Sequence, residues 1–355
     1  MRQQKRNYWM DLLNVIACFA VVVLHCTTVV FLNQGDKTWT ASVILQCLCI
    51  FAVPVFFMIS GANLLGYRQR YDTKTFFKKR FRRVVFTLVA ASVVVYLATP
   101  AMHIALGFTP PYMPSFSNFV YGFFHNEICS VYWFFYAILI LYLVTPIFSL
   151  IVDNKRVLEY ALMLCIASSM VIPLIERYSP DSTFLELFTI PYLGSWLTYY
   201  LLGYYLVRHN KLERVSSWKI CLLAAITMLM MIILTFRTNL PHTVASGAFL
   251  DYDSFYANAG NLLALIYASS LFILASRRND AVENSRLYPV IRKLSGLSLG
   301  VYAIHILVID FLDMFIAHRL LWDVGIRPFA VFAISLLLTF AGKQLMAVFR
   351  SLKTR

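Results

Sequence analysis

The chain carries no tandem repeat and no low-complexity tract, which leaves no sign of a repeat array or of a second domain. Its seven cysteines match neither the spacing of a zinc site nor a disulfide framework, and no metal is expected. Six of them, Cys18, Cys26, Cys47, Cys49, Cys165 and Cys221, fall inside apolar stretches, where a thiol packs as a small hydrophobe, and Cys129 lies near the outer face. A cleavable signal is not expected, because the first apolar stretch is too long and no small-residue cleavage site follows it. Acidic residues are scarce: 17 Asp and Glu stand against 31 Lys and Arg, for a net charge of +14. Apolar residues are abundant instead. Sixty per cent hydrophobic residues, 16% aromatics and a mean hydropathy of +0.70 exclude a soluble globule and describe a polytopic membrane protein.

Apolar runs of about 18 residues or more mark spanning helices. Ten are expected, near 9–32, 41–66, 82–106, 131–152, 157–176, 190–207, 217–236, 257–276, 295–316 and 328–349. Charge tests that count. With the amino terminus in the cytoplasm, 26 of the 31 basic residues fall in inner segments, and only Lys37, Arg177, Arg237, Arg319 and Arg327 fall outside. Miscounting by one helix would scramble this alternation. The expected fold is therefore an all-α integral membrane bundle of about ten helices, one domain over 1–355, with both termini cytoplasmic and the chain in the cell (inner) membrane. The positive charge follows from topology and from an anionic leaflet, with no nucleic-acid partner. Two outer connections, 107–130 and 237–256, and one inner connection, 277–294, are long.

The first span carries Asp11, Asn14, Cys18 and His25. At roughly 100° per residue, the last three lie about 60°, 20° and 40° from Asp11, all on one side of it. An ionisable group in hydrocarbon costs roughly 2.5–3.5 kcal/mol, so such a stripe faces protein or a water-filled cavity. Chemistry or transport is the first expectation.

Four segments carry a resemblance. They are Tyr8-Trp9-Met10-Asp11-Leu12-Leu13-Asn14 with Val23-Leu24-His25, Val53-Pro54-Val55-Phe56-Phe57-Met58-Ile59-Ser60-Gly61, Tyr132-Trp133-Phe134-Phe135, and Ser298-Leu299-Gly300-Val301-Tyr302-Ala303-Ile304-His305. In this order, and with the helix layout, the chain resembles the acyltransferase-3 family of membrane O-acyltransferases over nearly its whole length. The resemblance implies acyl transfer, usually of acetyl from cytoplasmic acetyl-CoA, to a hydroxyl of a cell-envelope glycan or its lipid-linked precursor. The family pairs an arginine with a histidine eleven positions on. Here His25 matches and Asn14 replaces the arginine, so a fixed positive charge is missing. Val131 also stands where the family often has a histidine.

Acyl transfer to an alcohol needs a base at the acceptor oxygen, and His25 is the candidate. It rises about 21 Å above Asp11. The competing reading is a histidine packed against a neighbouring helix. Asp11 lies where a basic residue after the second span could pair with it, and Asn14 could orient the histidine or a thioester carbonyl. Lys78, Lys79, Arg80, Arg82 and Arg83 cluster as the phosphates of coenzyme A require, although inner loops collect the same charges as an orientation signal. Ser60, Gly61 and Asn63 close the second span on that face and are expected to let the pantetheine of the donor approach the backbone. Ser298, Tyr302 and His305 share one face of the ninth span. His305 supports the cavity or assists catalysis, while Asp310 and Asp313 point toward the acceptor or solvent. Tyr302 and Trp133, with Tyr132, Tyr192 and Trp196 nearby, are expected on the acceptor side, where interfacial belts place the same residue types. The alternative function is a transporter or flippase, whose polar path would use the same buried groups.

Overall fold

The computed structural model describes residues 7–179, 194–209, 214–243, 252–317 and 319–353. Parts of several expectations lie outside the described residues: the basic residues before Asn7, the first four positions of the 190–207 span with Tyr192, and positions 244–251 of the second long outer connection.

The protein is an all-α integral membrane bundle, about 80% helical and without strands among the described residues. Its helices are α1 (Tyr8–Cys26), α2 (Lys37–Cys49), α3 (Ala52–Leu64), α4 (Thr73–Lys79), α5 (Phe81–Ala105), α6 (Phe116–His125), α7 (Trp133–Phe148), α8 (Lys155–Ile166) and α9 (Ile172–Glu176). There follow α10 (Ser195–Arg208), α11 (Ser217–Asn239), α12 (Leu262–Ser276), α13 (Asn279–Glu283), α14 (Tyr288–Asp313) and α15 (Arg327–Lys353).

Ten spans were expected, whereas eight helical runs among the described residues are long and apolar enough to cross a bilayer. The other two expected spans are the 14 residues of α10 and the 15 of α12. At 1.5 Å per residue these reach only about 21–23 Å of the roughly 30 Å hydrocarbon thickness. Asn261 shortens the second of them. It caps α12 by accepting from the Ala264 N–H at 2.8 Å, so residues 257–260 are turn rather than helix. The 41–66 stretch is two helices joined at Ile50–Phe51, and the 107–130 connection contains α6.

The backbone packs as two compact units, each built from two stretches of chain: 1–72 with 144–295, and 73–143 with 296–355. In the first, α1 packs against α2, α3, α12 and α13. Ten of its nineteen residues are buried, in keeping with a sequence that is apolar on most sides. The closest crossing is α3 on α10, made by two glycines. A Cβ on Gly61 would overlap the Tyr200 carbonyl, and one on Gly203 would overlap the Met58 carbonyl. Backbones approach this closely in membranes only where small residues let them. In the second unit Gly300 of α14 admits the Thr339 side chain of α15 in the same way.

Gly61→Ala or Gly203→Ala should therefore destabilise the first unit by about 3 kcal/mol or more, the upper end of overpacking costs. Gly296→Ala and Gly342→Ala, where an added Cβ meets nothing within 4 Å, should be neutral or stabilising. Thermal melts of helical circular dichroism in detergent compare the four.

Candidate functional site

His25 sits in the last turn of α1, where helix carbonyls lose their intrahelical partners. Two side chains take up that role. The Thr27 hydroxyl donates to the Val23 carbonyl at 2.8 Å, and the Gln46 amide of α2 donates to the Leu24 carbonyl at 2.7 Å and to the Thr27 hydroxyl at 2.9 Å. Inside a bilayer these carbonyls cannot turn to water, so Gln46 fixes the backbone that carries His25. The ring is hydrogen-bonded to the Val21 backbone one turn back. His25 is half-buried, beside the buried Val21, Val22 and Cys26 of the same helix.

At the opposite end of α1 the stripe forms a network with the residues that open α14. Tyr288 donates to one oxygen of Asp11 at 2.8 Å, and the Ser295 hydroxyl donates to the other at 2.9 Å. The Asn14 amide donates to that same hydroxyl at 3.1 Å and to the Ser295 carbonyl at 3.2 Å. Asp11 and Asn14 thus belong to one chain of hydrogen bonds, Asn14 to Ser295 to Asp11. The sequence pointed Asp11 toward the basic segment after the second span, and the structure adds two hydroxyls some 280 positions away. The start of α1 is held there as well. The Tyr8 N–H meets the Asn279 side chain at 2.8 Å, and the Tyr8 ring stands edge-on to Tyr288.

The eight basic residues from 68 to 83 divide by role. Arg68 donates to the Ser149 hydroxyl at 2.7 Å and to the Pro146 carbonyl at 3.3 Å, and Arg70 donates to the Asn63 carbonyl, so both tie helix ends within the first unit. Lys78, Lys79, Arg82 and Arg83 are exposed and Arg80 is half-buried, on the corner where α4 meets α5 in the second unit. That corner is anchored by Phe76, fully buried against Tyr142. Ser60 is half-buried in α3 of the first unit. The expectation that Gly61 opens its backbone to a donor is corrected: α10 occupies the space its missing side chain leaves.

In the second unit two tyrosines clasp α7 to α14. Tyr132 donates to the Ala303 carbonyl at 2.7 Å, and Tyr302 donates to the Val131 carbonyl. The Tyr302 ring also meets Phe134 and Phe135, so this residue is core. His305 is 0% exposed, with its Nδ1 at 2.8 Å from the Tyr302 carbonyl. Trp133, half-exposed, stands edge-on to Phe134. Burial pushes the Cys129 thiol up to about 12, which makes it a poor nucleophile at neutral pH.

The sequence reading missed one group. Arg327, counted there as an outer-loop charge, is 3% exposed and pairs with Asp323 at 3.2 Å and with Asp313. Asp323 lies in a π-helical turn, Leu321–Ile326, that feeds α15. The available signal was the Asp323–Arg327 spacing of four. No group of three or more His, Cys, Asp or Glu side chains able to hold a metal ion occurs among the described residues.

Eight helical runs long and apolar enough to cross a bilayer among the described residues define a multi-pass membrane protein. The model of the acyltransferase-3 family, described as an acyltransferase domain, matches residues 7–348, and the chain belongs to that family of membrane acyltransferases. Searches of curated proteins and of solved structures found no match.

Arg327→Leu should cost about 3–5 kcal/mol, because it strands two carboxylates inside the second unit. Adding Asp313→Asn and Asp323→Asn should recover much of that loss, measured as the melting temperature of the triple variant beside that of Arg327→Leu alone.

Proposed function

We propose that this acyltransferase moves an acetyl group from cytoplasmic acetyl-CoA to a hydroxyl of a cell-envelope glycan or lipid-linked saccharide, with His25 as general base, in the cell (inner) membrane. One observation carries the reading. On α1 the single histidine is half-buried and its backbone is braced by Gln46 and Thr27. A histidine kept for packing alone would need no such partial access.

In this reading His25 takes the acceptor O–H proton as that oxygen attacks the thioester carbonyl. Collapse of the tetrahedral adduct breaks the C–S bond, and the proton leaves with the coenzyme A thiol. Asn14 and Asp11, joined through Ser295, keep the polar stripe of α1 in register along the donor's path. Asn14 supplies amide hydrogen bonds where a guanidinium would supply charge. Lys78, Lys79, Arg80, Arg82 and Arg83 bind the pyrophosphate and ribose phosphate of the donor, with Ser60 beside the pantetheine arm. Trp133 stacks on the acceptor sugar. Tyr302 and His305, already engaged inside the second unit, position that wall rather than touch the sugar. The comparison with curated proteins lends no support to a particular kinship with the enterobacterial common antigen O-acetyltransferase, so the acceptor is proposed by class only.

The test follows labelled acetyl from acetyl-CoA into envelope glycan in membranes carrying each variant. His25→Ala and His25→Gln should lower transfer by about 10²–10⁴-fold with the helical melt unchanged. Full transfer by a folded His25→Ala protein overturns the base assignment, and facilitated solute uptake by the native chain would favour a transporter. Replacing Arg80, Arg82 and Arg83 with Gln should raise the KM for acetyl-CoA by about tenfold or more while kcat holds, as expected for lost charge-assisted phosphate contacts. An unchanged KM returns the cluster to a purely topological role.

A further inference from the structure

Residues 107–126 contain no Asp, Glu, Lys or Arg, and seven of these twenty residues are aromatic. A water-bathed connection of that length ordinarily carries charge, and this one is built like a membrane surface. The structure gives it shape. α6 is capped by Ser115, whose hydroxyl accepts from the Asn118 N–H at 3.2 Å, and it closes on Asn126 in the left-handed conformation, at φ 56°. Its start is fastened to α5, because the Tyr96 hydroxyl meets both the Ser115 carbonyl and the Ser115 N–H at 3.1 Å while Tyr112 stacks on the Tyr96 ring. Its far end is held by Tyr136, which donates to the Phe123 carbonyl.

Between these fastenings an open groove of about 240 Å³ remains, walled by Val93, Tyr96, Leu97, Pro114, Phe116 and Phe119. On the α5 side Val89, Val93 and Leu97 form an exposed row four residues apart, continuous with the lipid-facing surface of a spanning helix. On the α6 side Phe116, Val120 and Phe124 form a second row, with Phe116 84% exposed. The polar atoms at the groove, the Tyr96 hydroxyl and the Ser115 backbone, already bond each other.

We propose that the α5–α6 groove seats a hydrocarbon chain of a membrane phospholipid, with α6 lying in the bilayer interface. A glycan or a peptide would find no charge and few unspent donors there. An acyl chain needs neither, and reaches the groove laterally from the lipid that α5 already faces.

The test uses the full chain in phosphatidylethanolamine–phosphatidylglycerol vesicles doped with a phospholipid bearing a photoreactive diazirine in its acyl chain. After irradiation, adducts are mapped by peptide mass spectrometry. Adducts should concentrate on 93–97 and 114–119, above the density on Leu222, Leu229 and Ile233, exposed residues of α11 that serve as a lipid-facing reference in the same sample. Val93→Trp fills the groove from a position exposed at its rim. It should cut adducts at 114–119 by about tenfold, the factor expected from withholding roughly two buried methylenes, with the α11 signal unchanged. Equal density on groove and reference, or indifference to Val93→Trp, overturns the proposal. A second measurement stands apart from the filling variant. In a Cys221→Ser background, which removes the one exposed cysteine, a nitroxide at Phe116→Cys should relax with oxygen rather than with a water-soluble nickel chelate. Relaxation by nickel, or nitroxide–nitroxide coupling between copies, would give this face to water or to a second copy of the chain and would overturn the lipid assignment.

Discussion

A carbonyl, amide or carboxylate inside hydrocarbon has no water to turn to, and the partners that replace water decide where this chain can bend, end a helix or keep a charge. The last turn of α1 shows the rule at its plainest. The Val23 and Leu24 carbonyls are met by Thr27 and Gln46, so the helix stops there without exposing bare backbone, and His25 is carried on that braced turn. The link between α11 and α12 obeys it with asparagines. Asn239 exchanges hydrogen bonds with Asp253 in both directions, and Asn261 satisfies the Tyr256 carbonyl while it caps α12. Arg327 obeys it with charge, shared between Asp313 and Asp323. Polar side chains in this sequence therefore divide into those consumed by closing the fold and those left over for chemistry.

The first kind needs helices to come close, and glycine supplies the approach. Gly61 and Gly203 let α3 and α10 touch along their backbones, where dispersion over many atoms replaces a hydrophobic drive that lipid cannot provide. α3 also packs on α1, so this crossing supports the helix that carries the stripe. A wider α3–α10 separation would loosen the support behind Asn63, whose amide meets the Met10 sulfur of α1 at 3.3 Å.

Spans were legible in the sequence because hydropathy and the sign of loop charge are local quantities, and the face shared by Asp11, Asn14 and His25 was legible because helical phase is local too. What the local pattern could not supply was partners. Ser295 lies 281 positions from Asn14, and nothing near either residue announces the other. α6 went unseen because apolar residues in a connection read as loop until both caps, Ser115 and Asn126, are counted with them. The start of α12 was overestimated for a related reason: hydropathy runs on to the N-terminal side of Asn261, but the helix does not. Spacing within one helix fixes a residue's face but not what stands opposite it, which is why Gln46 beside the His25 turn was not legible.

The basic segment after the second span shows why a charge count is a poor guide to a binding site. Eight Lys and Arg satisfy the positive-inside rule equally well wherever their side chains go. Arg68 and Arg70 go to helix-end carbonyls, where a cation offsets the negative end of the helix dipole and leaves little for a ligand. Lys78, Lys79, Arg82 and Arg83 are exposed on a corner that Phe76 holds in place. An exposed cation on a flexible stem gives up side-chain entropy when it grips phosphate, whereas several on one anchored turn share a fixed backbone and so lose less per contact. The buried aromatic, more than the number of charges, is what makes this corner a better candidate for polyphosphate than the rest of the inner surface.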